Sequence, residues 1–402
     1  MASYINLSRD ARVILSFLGN TASITASNSA SLTQEIKVLD GFSFNQDTGT
    51  QDVALNESGP NSVRGKKTFN TSLNPVDVSF TTYIRPFKIG NTSSCMEDFL
   101  WRALINGVSS STGNDYGNAV TRSATSVSYF MSASNVDVLP EFYVYFIFEN
   151  TSYMVSKCQV NSAEIDFGID QIGQITWSLQ GTTITKLAAA DHTALLGWTN
   201  LGASTPIAKL ISAPVDTSKA PFIRNKLSFV TLKDNAGGFT TSTVTYSITG
   251  GSISINNNLT ALTPEELATV NFPIGSFTGT RDISGNFSAY LRVGNTASDA
   301  GELLNYMIAN AQLDDTENYY ALNMYLGGNT TGTPRVHFNF PVTQISIPSV
   351  DVQDVLSTTI NFFAKGYTSI TESDLTAANE MAVTYYHNGT NAALTTDTTF
   401  YT

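Results

Sequence analysis

Ser79-Phe80-Thr81-Thr82-Tyr83-Ile84-Arg85 in the first half of the chain is answered by Asn286-Phe287-Ser288-Ala289-Tyr290-Leu291-Arg292 in the second. Phe80, Tyr83 and Arg85 meet Phe287, Tyr290 and Arg292 at one constant spacing, and an amphipathic helix pattern follows each stretch at a similar distance. Self-similarity on this scale decides architecture before any local pattern does. Upstream, Leu15-Ser16-Phe17 matches Leu227-Ser228-Phe229, and Gly41-Phe42-Ser43-Phe44-Asn45 matches Gly251-Ser252-Ile253-Ser254-Ile255-Asn256. Downstream, Phe142-Tyr143-Val144-Tyr145 matches Tyr319-Tyr320-Ala321-Leu322, and a strand ending at Gly181 matches one ending at Gly366. The order of elements is kept throughout, so the chain reads as one domain duplicated and fused.

Around this stretch the patterns are those of strands. Residues 12–18 form a first apolar run, and in 35–46 Ile36, Val38, Phe42 and Phe44 alternate with Lys37, Ser43 and Asn45. Strand 76–85 puts Val76, Val78, Phe80 and Thr82 on one side. Residues 141–149 and 153–161 pair around Asn150-Thr151-Ser152. Strand 163–169 alternates strictly, with Ala163, Ile165, Phe167 and Ile169 opposite Glu164, Asp166 and Gly168, and 174–180 carries Trp177. Helix signals are few. In 96–106 Phe99, Leu100, Ala103 and Leu104 make one stripe, with Glu97 and Asp98 favouring the N-terminal turn, and residues 302–308 repeat the pattern.

Residues 46–75 have no clear period, which points to a functional loop between two sound strands. The expected boundaries are a first domain at 1–188, a linker at 189–221 with a short helical turn near 190–196, a second domain at 222–371 and a polar C-terminal arm at 372–402, a surface segment rather than a core element. Thr263-Pro264-Glu265-Glu266 resembles a capped helical turn.

Charged residues make up only 13% of the 402, and the net charge is −12. An acidic chain gains nothing from counterion release on a phosphate backbone, so tight nucleic-acid binding is not expected. Cys95 and Cys158 are too few for a disulfide framework and read as small buried hydrophobes. The N-terminus has no basic-then-apolar signal pattern, and the longest aromatic-aliphatic run, Phe142 to Phe148, is far too short to span a bilayer. His192, His337 and His387 lack partners at ligand spacing. Gly65-Lys66-Lys67-Thr68 is no phosphate loop, because Pro60 stands where that motif needs a glycine. No nucleophile elbow is present. The expectation is a protein without catalytic residues, metal or cofactor.

Val53-Ala54-Leu55-Asn56-Glu57-Ser58-Gly59-Pro60, Arg64-Gly65-Lys66-Lys67, the strand Ser79 to Arg85, and the first-copy ending from Ala163-Glu164-Ile165-Asp166 through Ile175-Thr176-Trp177 together resemble the tail tube proteins of bacteriophages. The resemblance covers residues 10–371 and is to the fused two-domain kind found in phages with long, non-contractile tails. It implies a mainly β fold: two tandem β-sandwich or barrel domains, each with one flanking helix, whose sheets join their neighbours' into a ring-wide β-barrel. It implies a structural virion protein, three chains to a pseudo-sixfold ring, stacked into a tube through which double-stranded DNA passes without specific binding. The implied partners are further copies of the chain and the tape measure, tail tip and terminator proteins. The implied location is the virion tail, after assembly in the host cytoplasm and with no membrane involved.

On this reading Glu164 and Asp166, with Asp170 close by, line the lumen. Glu57, Arg64, Lys66 and Lys67 on the long loop, and Glu265 and Glu266 in the second copy, make contacts between rings. The segment after Ile370 is too short for the immunoglobulin-like module that some relatives carry. The alternatives are a non-catalytic β-sandwich binding module or adhesin, and the inner tube of a contractile tail.

Overall fold

Alternation of apolar and small polar residues governs nearly every element. In the computed structural model the described residues are 11–17, 33–53, 67–89, 92–106, 119–132, 139–197, 223, 225–234, 244–264, 271–290, 320–328, 334–346, 349–351, 357–366 and 379–386. The first half contains β1 (Arg12–Ser16), β2 (Thr33–Ile36), β3 (Ser43–Val53), β4 (Lys67–Tyr83), β5 (Pro86–Ile89), β6 (Thr92–Cys95), α1 (Asp98–Leu104), β7 (Val120–Arg122) and β8 (Ser126–Ser132). It continues with β9 (Phe142–Ile147), β10 (Ser152–Gly168), β11 (Gln174–Gly181), β12 (Thr183–Lys186) and α2 (Ala189–Gly197). The second half contains β13 (Phe229–Asp234), β14 (Val244–Asn256), β15 (Thr260–Leu262), β16 (Gly275–Phe277), β17 (Asp282–Tyr290) and β18 (Tyr320–Gly327). It ends with β19 (Arg335–Ile345), β20 (Ser349–Asp351), β21 (Ser357–Ala364) and β22 (Asn379–Tyr386).

All the pairings between these strands are antiparallel. The first copy runs β2-β1-β9-β10-β11-β4-β3. The second closes on itself as β14-β17-β21-β19-β18-β13 and back to β14. The registers of the two halves correspond. Phe44 faces Val78 in the first copy as Ile253 faces Gly285 in the second, and Trp177 faces Phe80 as Ile360 faces Phe287. These registers shift two of the sequence matches: Gly251 falls one residue out of step with Gly41, and β21 ends at Ala364 rather than Gly366.

Several boundaries differ from the sequence reading for physical reasons. Residues 153–161 and 163–169 form a single strand, β10, whose register slips between Val155 and Cys158 and again between Val160 and Ser162, with Lys157 at φ 48°. Bulges reset the alternation, so one strand looks like two. The segment 46–75 is largely a long ribbon: β3 runs on to Val53 and β4 begins at Lys67. Both faces of its outer part meet solvent, so no apolar period marks it. Residues 379–386 are not a surface segment. Their strand β22 lies between β8 of the first half and β19 of the second, with Met381, Val383 and Tyr385 fully buried. The polar tail hides a short apolar alternation. The helix expected at 302–308 lies outside the described residues.

Helix α1 is buried all round, not only along its stripe. Phe99 stacks on Phe17 at 4.4 Å, and Trp101 meets Trp177 edge-on at 5.2 Å. The Trp101 indole donates to the Tyr385 hydroxyl at 2.7 Å, tying the first-copy core to the last strand. Asp98 receives Arg102 at 3.0 Å, Arg122 at 2.9 Å and the Tyr129 hydroxyl. Burial alone would raise its pKa, but the two guanidiniums outweigh burial and hold it below the ordinary value.

Glu97 next to it has no such compensation. Burial pushes its carboxyl up to about 8, despite backbone hydrogen bonds and the nearby Arg85. The folded state therefore keeps a proton that the unfolded chain has already released, and stability falls as pH rises from the ordinary carboxylate range to about 8. Glu97→Gln removes this dependence: its stability gain over the parent, read by urea unfolding, is expected to grow from pH 5 to pH 8 and then level off.

Candidate functional site

Burying one face of each strand leaves the other face to be explained. The two copies join where β10 pairs with β14 over seven residues, from Ser162↔Asn256 to Gly168↔Gly250. The result is one sheet, β3-β4-β11-β10-β14-β17-β21, with β20 beyond β21. Its inner face carries Val76, Val78, Phe80, Ile175, Trp177, Leu179, Ala163, Ile165, Phe167, Ile253, Ile255, Ile283, Phe287, Ile360 and Phe362, all buried.

Its outer face is made of short polar side chains in level rows. One row reads Thr81, Thr176, Glu164, Ser254, Ser284; the next reads Tyr83, Gln174, Asp166, Ser252, Asn286, Asn361. Thr81 and Thr176 share a hydrogen bond of 3.1 Å, as do Ser288 and Thr359, and Asn286 donates to Ser252 at 2.8 Å. The acids on the face, Asp47, Asp77, Glu164, Asp166 and Asp282, are exposed, and apart from Lys67 at the outer end of the ribbon none of the registered positions holds a lysine or arginine. Tyr83, Tyr290 and Phe363 are its large aromatic side chains. Chemically the face can do two things: stay wet, and repel anions.

The sequence-expected residues distribute as follows. Glu164 and Asp166 stand exposed on this face in the junction itself, opposite Ser254 and Ser252, and Asp170 is exposed in the turn after β10. Lys67 opens β4 at the far end of the ribbon. Glu57, Arg64, Lys66, Glu265 and Glu266 lie outside the described residues. Asp47, Asp77 and Asp282 share the face with Glu164 and were missed. The phase of Val76, Val78 and Phe80 would have marked Asp77, which alternates with them. No local signal marks the β10–β14 junction, because its partners are far apart in the chain.

Among the described residues two strand edges of the sheet remain open: β3 pairs only with β4, and β20 pairs only with β21. Those edges are equivalent to the two that meet inside the chain. Phe44 occupies the place of Ile253, and Val350 faces Thr358 as Ile165 faces Ile175. Among the described residues no group of histidine, cysteine and carboxylate side chains could hold a metal ion, and no helix is long and apolar enough to cross a membrane. His192 bonds Ser152 at 2.8 Å, and His337, stacked on Tyr325, has its pKa lowered to about 4 by burial and by Arg335.

At the junction the ring of Phe167 lies over Gly251. A Cβ there would come 2.8 Å from the ring and press on the backbone oxygen of Asn286. Gly251→Ala is therefore expected to destabilise the chain by about 1–3 kcal/mol, measured as a lower urea midpoint at unchanged slope.

A family model described as phage tail tube protein matches residues 38–333. The chain is also 31% identical over 383 residues to the tail tube protein pb6 of Escherichia phage T5, covering 94% of this chain and 75% of that protein.

Proposed function

This chain belongs to the phage tail tube protein family, and from that premise we propose that three copies join edge to edge into a ring of six domains, which stacks into a tube that conducts DNA. The observation that carries the reading is the β10–β14 junction together with the two open edges equivalent to it. An open edge is a template for another strand. If β20 of one chain takes β3 of the next in the register used inside the chain, Ser349 falls opposite Asn45, Val350 opposite Phe44 and Asp351 opposite Ser43. The contact is heterologous, so it must either close into a ring or run on as a filament. Rotation by one domain at every junction favours closure.

The polar face then becomes the wall of the bore. Backbone groups are spent on neighbouring strands, the side chains are short and hydrated, and Glu164, Asp166 and the other acids keep a negative polymer from adhering. The tape measure protein would occupy this bore before DNA, and the tail tip and terminator proteins would close its ends. Contacts between rings through Glu57, Arg64, Lys66, Lys67, Glu265 and Glu266 belong to the same proposal. If they are ionic they contribute about 0–1 kcal/mol each and set register more than affinity.

The deciding experiment is negative-stain microscopy of the purified chain at rising concentration, with tail-tip extract as seed and mass measured in parallel. Hollow tubes with three chains per ring are expected; solid filaments or no polymer under seeding overturns the reading. The register has its own test. Asn45→Cys with Ser349→Cys, oxidised in the assembled state, is expected to give covalent trimers on a reducing-agent-free gel, whereas Asn45→Cys with Ser357→Cys is expected to give none.

A further inference from the structure

We infer that the joint between the two copies inside one chain is fastened more firmly than the joint between chains, so that a tube of this protein opens and flexes at every second joint. The inference rests on the ring reading above for its second half; its first half concerns the single chain.

The inner joint is more than a strand pair. Asn257 of the second copy donates its side-chain amide to the backbone oxygens of Leu104 (3.3 Å) and Val160 (3.1 Å) in the first, and its backbone N–H to Asn161 at 2.8 Å. The Leu259 N–H reaches the Asn161 side chain at 3.0 Å, and Lys157 donates to the Ile274 oxygen at 3.1 Å. Within the second half Arg281 positions the two parts that reach across: it donates to Asn257 at 3.1 Å and pairs with Glu380 of β22 at 2.8 Å, both carboxylate and guanidinium largely buried. Strand β22 adds a second seam on the other side of the core, seven residue pairs to β8 and five to β19. Thr384 bonds Ser128 at 2.9 Å, and Tyr385 bonds Trp101.

The registers identify what stands at the equivalent positions between chains. Thr48 replaces Asn257, Ser346 replaces Asn161, Val342 replaces Lys157 and Asn74 replaces Arg281. A threonine hydroxyl cannot donate to two carbonyls at once, valine donates nothing from its side chain, and asparagine carries no charge for a carboxylate. Each chain also has one β22, and it is used within that chain. The interchain joint keeps the strand pairing and lacks the two-carbonyl amide of Asn257, the Arg281 guanidinium that positions it and the Lys157 donor.

The test separates the two joints without needing a tube. A specific protease site placed within residues 198–221 allows the folded chain to be cut between its halves, and size exclusion with mass detection follows the fragments on dilution. At a concentration where uncut chains run as monomers, the cut halves are expected to co-elute. Halves that separate at or above the concentration at which uncut chains associate would overturn the inference. Ending the chain at 371 is expected to release the halves, and their continued co-elution would remove β22 from the account. Should that truncation fail to fold, Arg281→Ala and Asn257→Ala serve instead, each expected to raise the separating concentration about tenfold or more, the effect of losing about 1.4 kcal/mol; no change would overturn their role. Absence of tubes under seeding removes the ring reading and leaves the cut-chain result standing.

Discussion

A β-strand that ends a sheet exposes a row of backbone donors and acceptors, and the structure is organised around that liability. Inside the chain the liability is removed once, by pairing β10 with β14, and this turns two half-sheets into one. The duplication makes the solution repeatable, because the same two edges reappear at the outer limits of the fused pair. Core packing follows from the same constraint. The sheet buries one face, and α1 and β22 pack over it, with Trp101 in contact with Trp177 and Tyr385.

The copies have diverged where packing allowed it. Val78 lies in the first core where the second has Gly285, and there Phe362 fills the space that a side chain would take. Volume is conserved while its source moves from one strand to the next, the kind of exchange that cores tolerate. The polar face is under a different rule. Among the described residues nothing packs against most of it, and serine, threonine and asparagine fill most of its positions in both halves.

Much of this was legible in the sequence because alternation and duplication are local or self-referential signals. Ile165 and Phe167 declared the buried face of β10, and Glu164 and Asp166 its wet face, without reference to any partner. What stayed hidden was whatever depends on a distant strand. Residues 379–386 look like part of a polar tail until β8 and β19 supply their neighbours, since Met381, Val383 and Tyr385 are apolar only at every second place. The outer ribbon of β3 and β4 escaped for the opposite reason: solvent on both sides leaves no pattern to read.

The reach of β22 has a consequence in time. The bonds from Tyr385 to Trp101 and from Thr384 to Ser128 join residues 284 and 256 positions apart, among the least local contacts in the fold. Chains emerge from the ribosome N-terminus first, and distant pairings form late because long loops must close before they are rewarded. The first half thus waits, with the rim of its core unsealed, until residues 379–386 have been made. Folding of the first half is therefore tied to synthesis of the second.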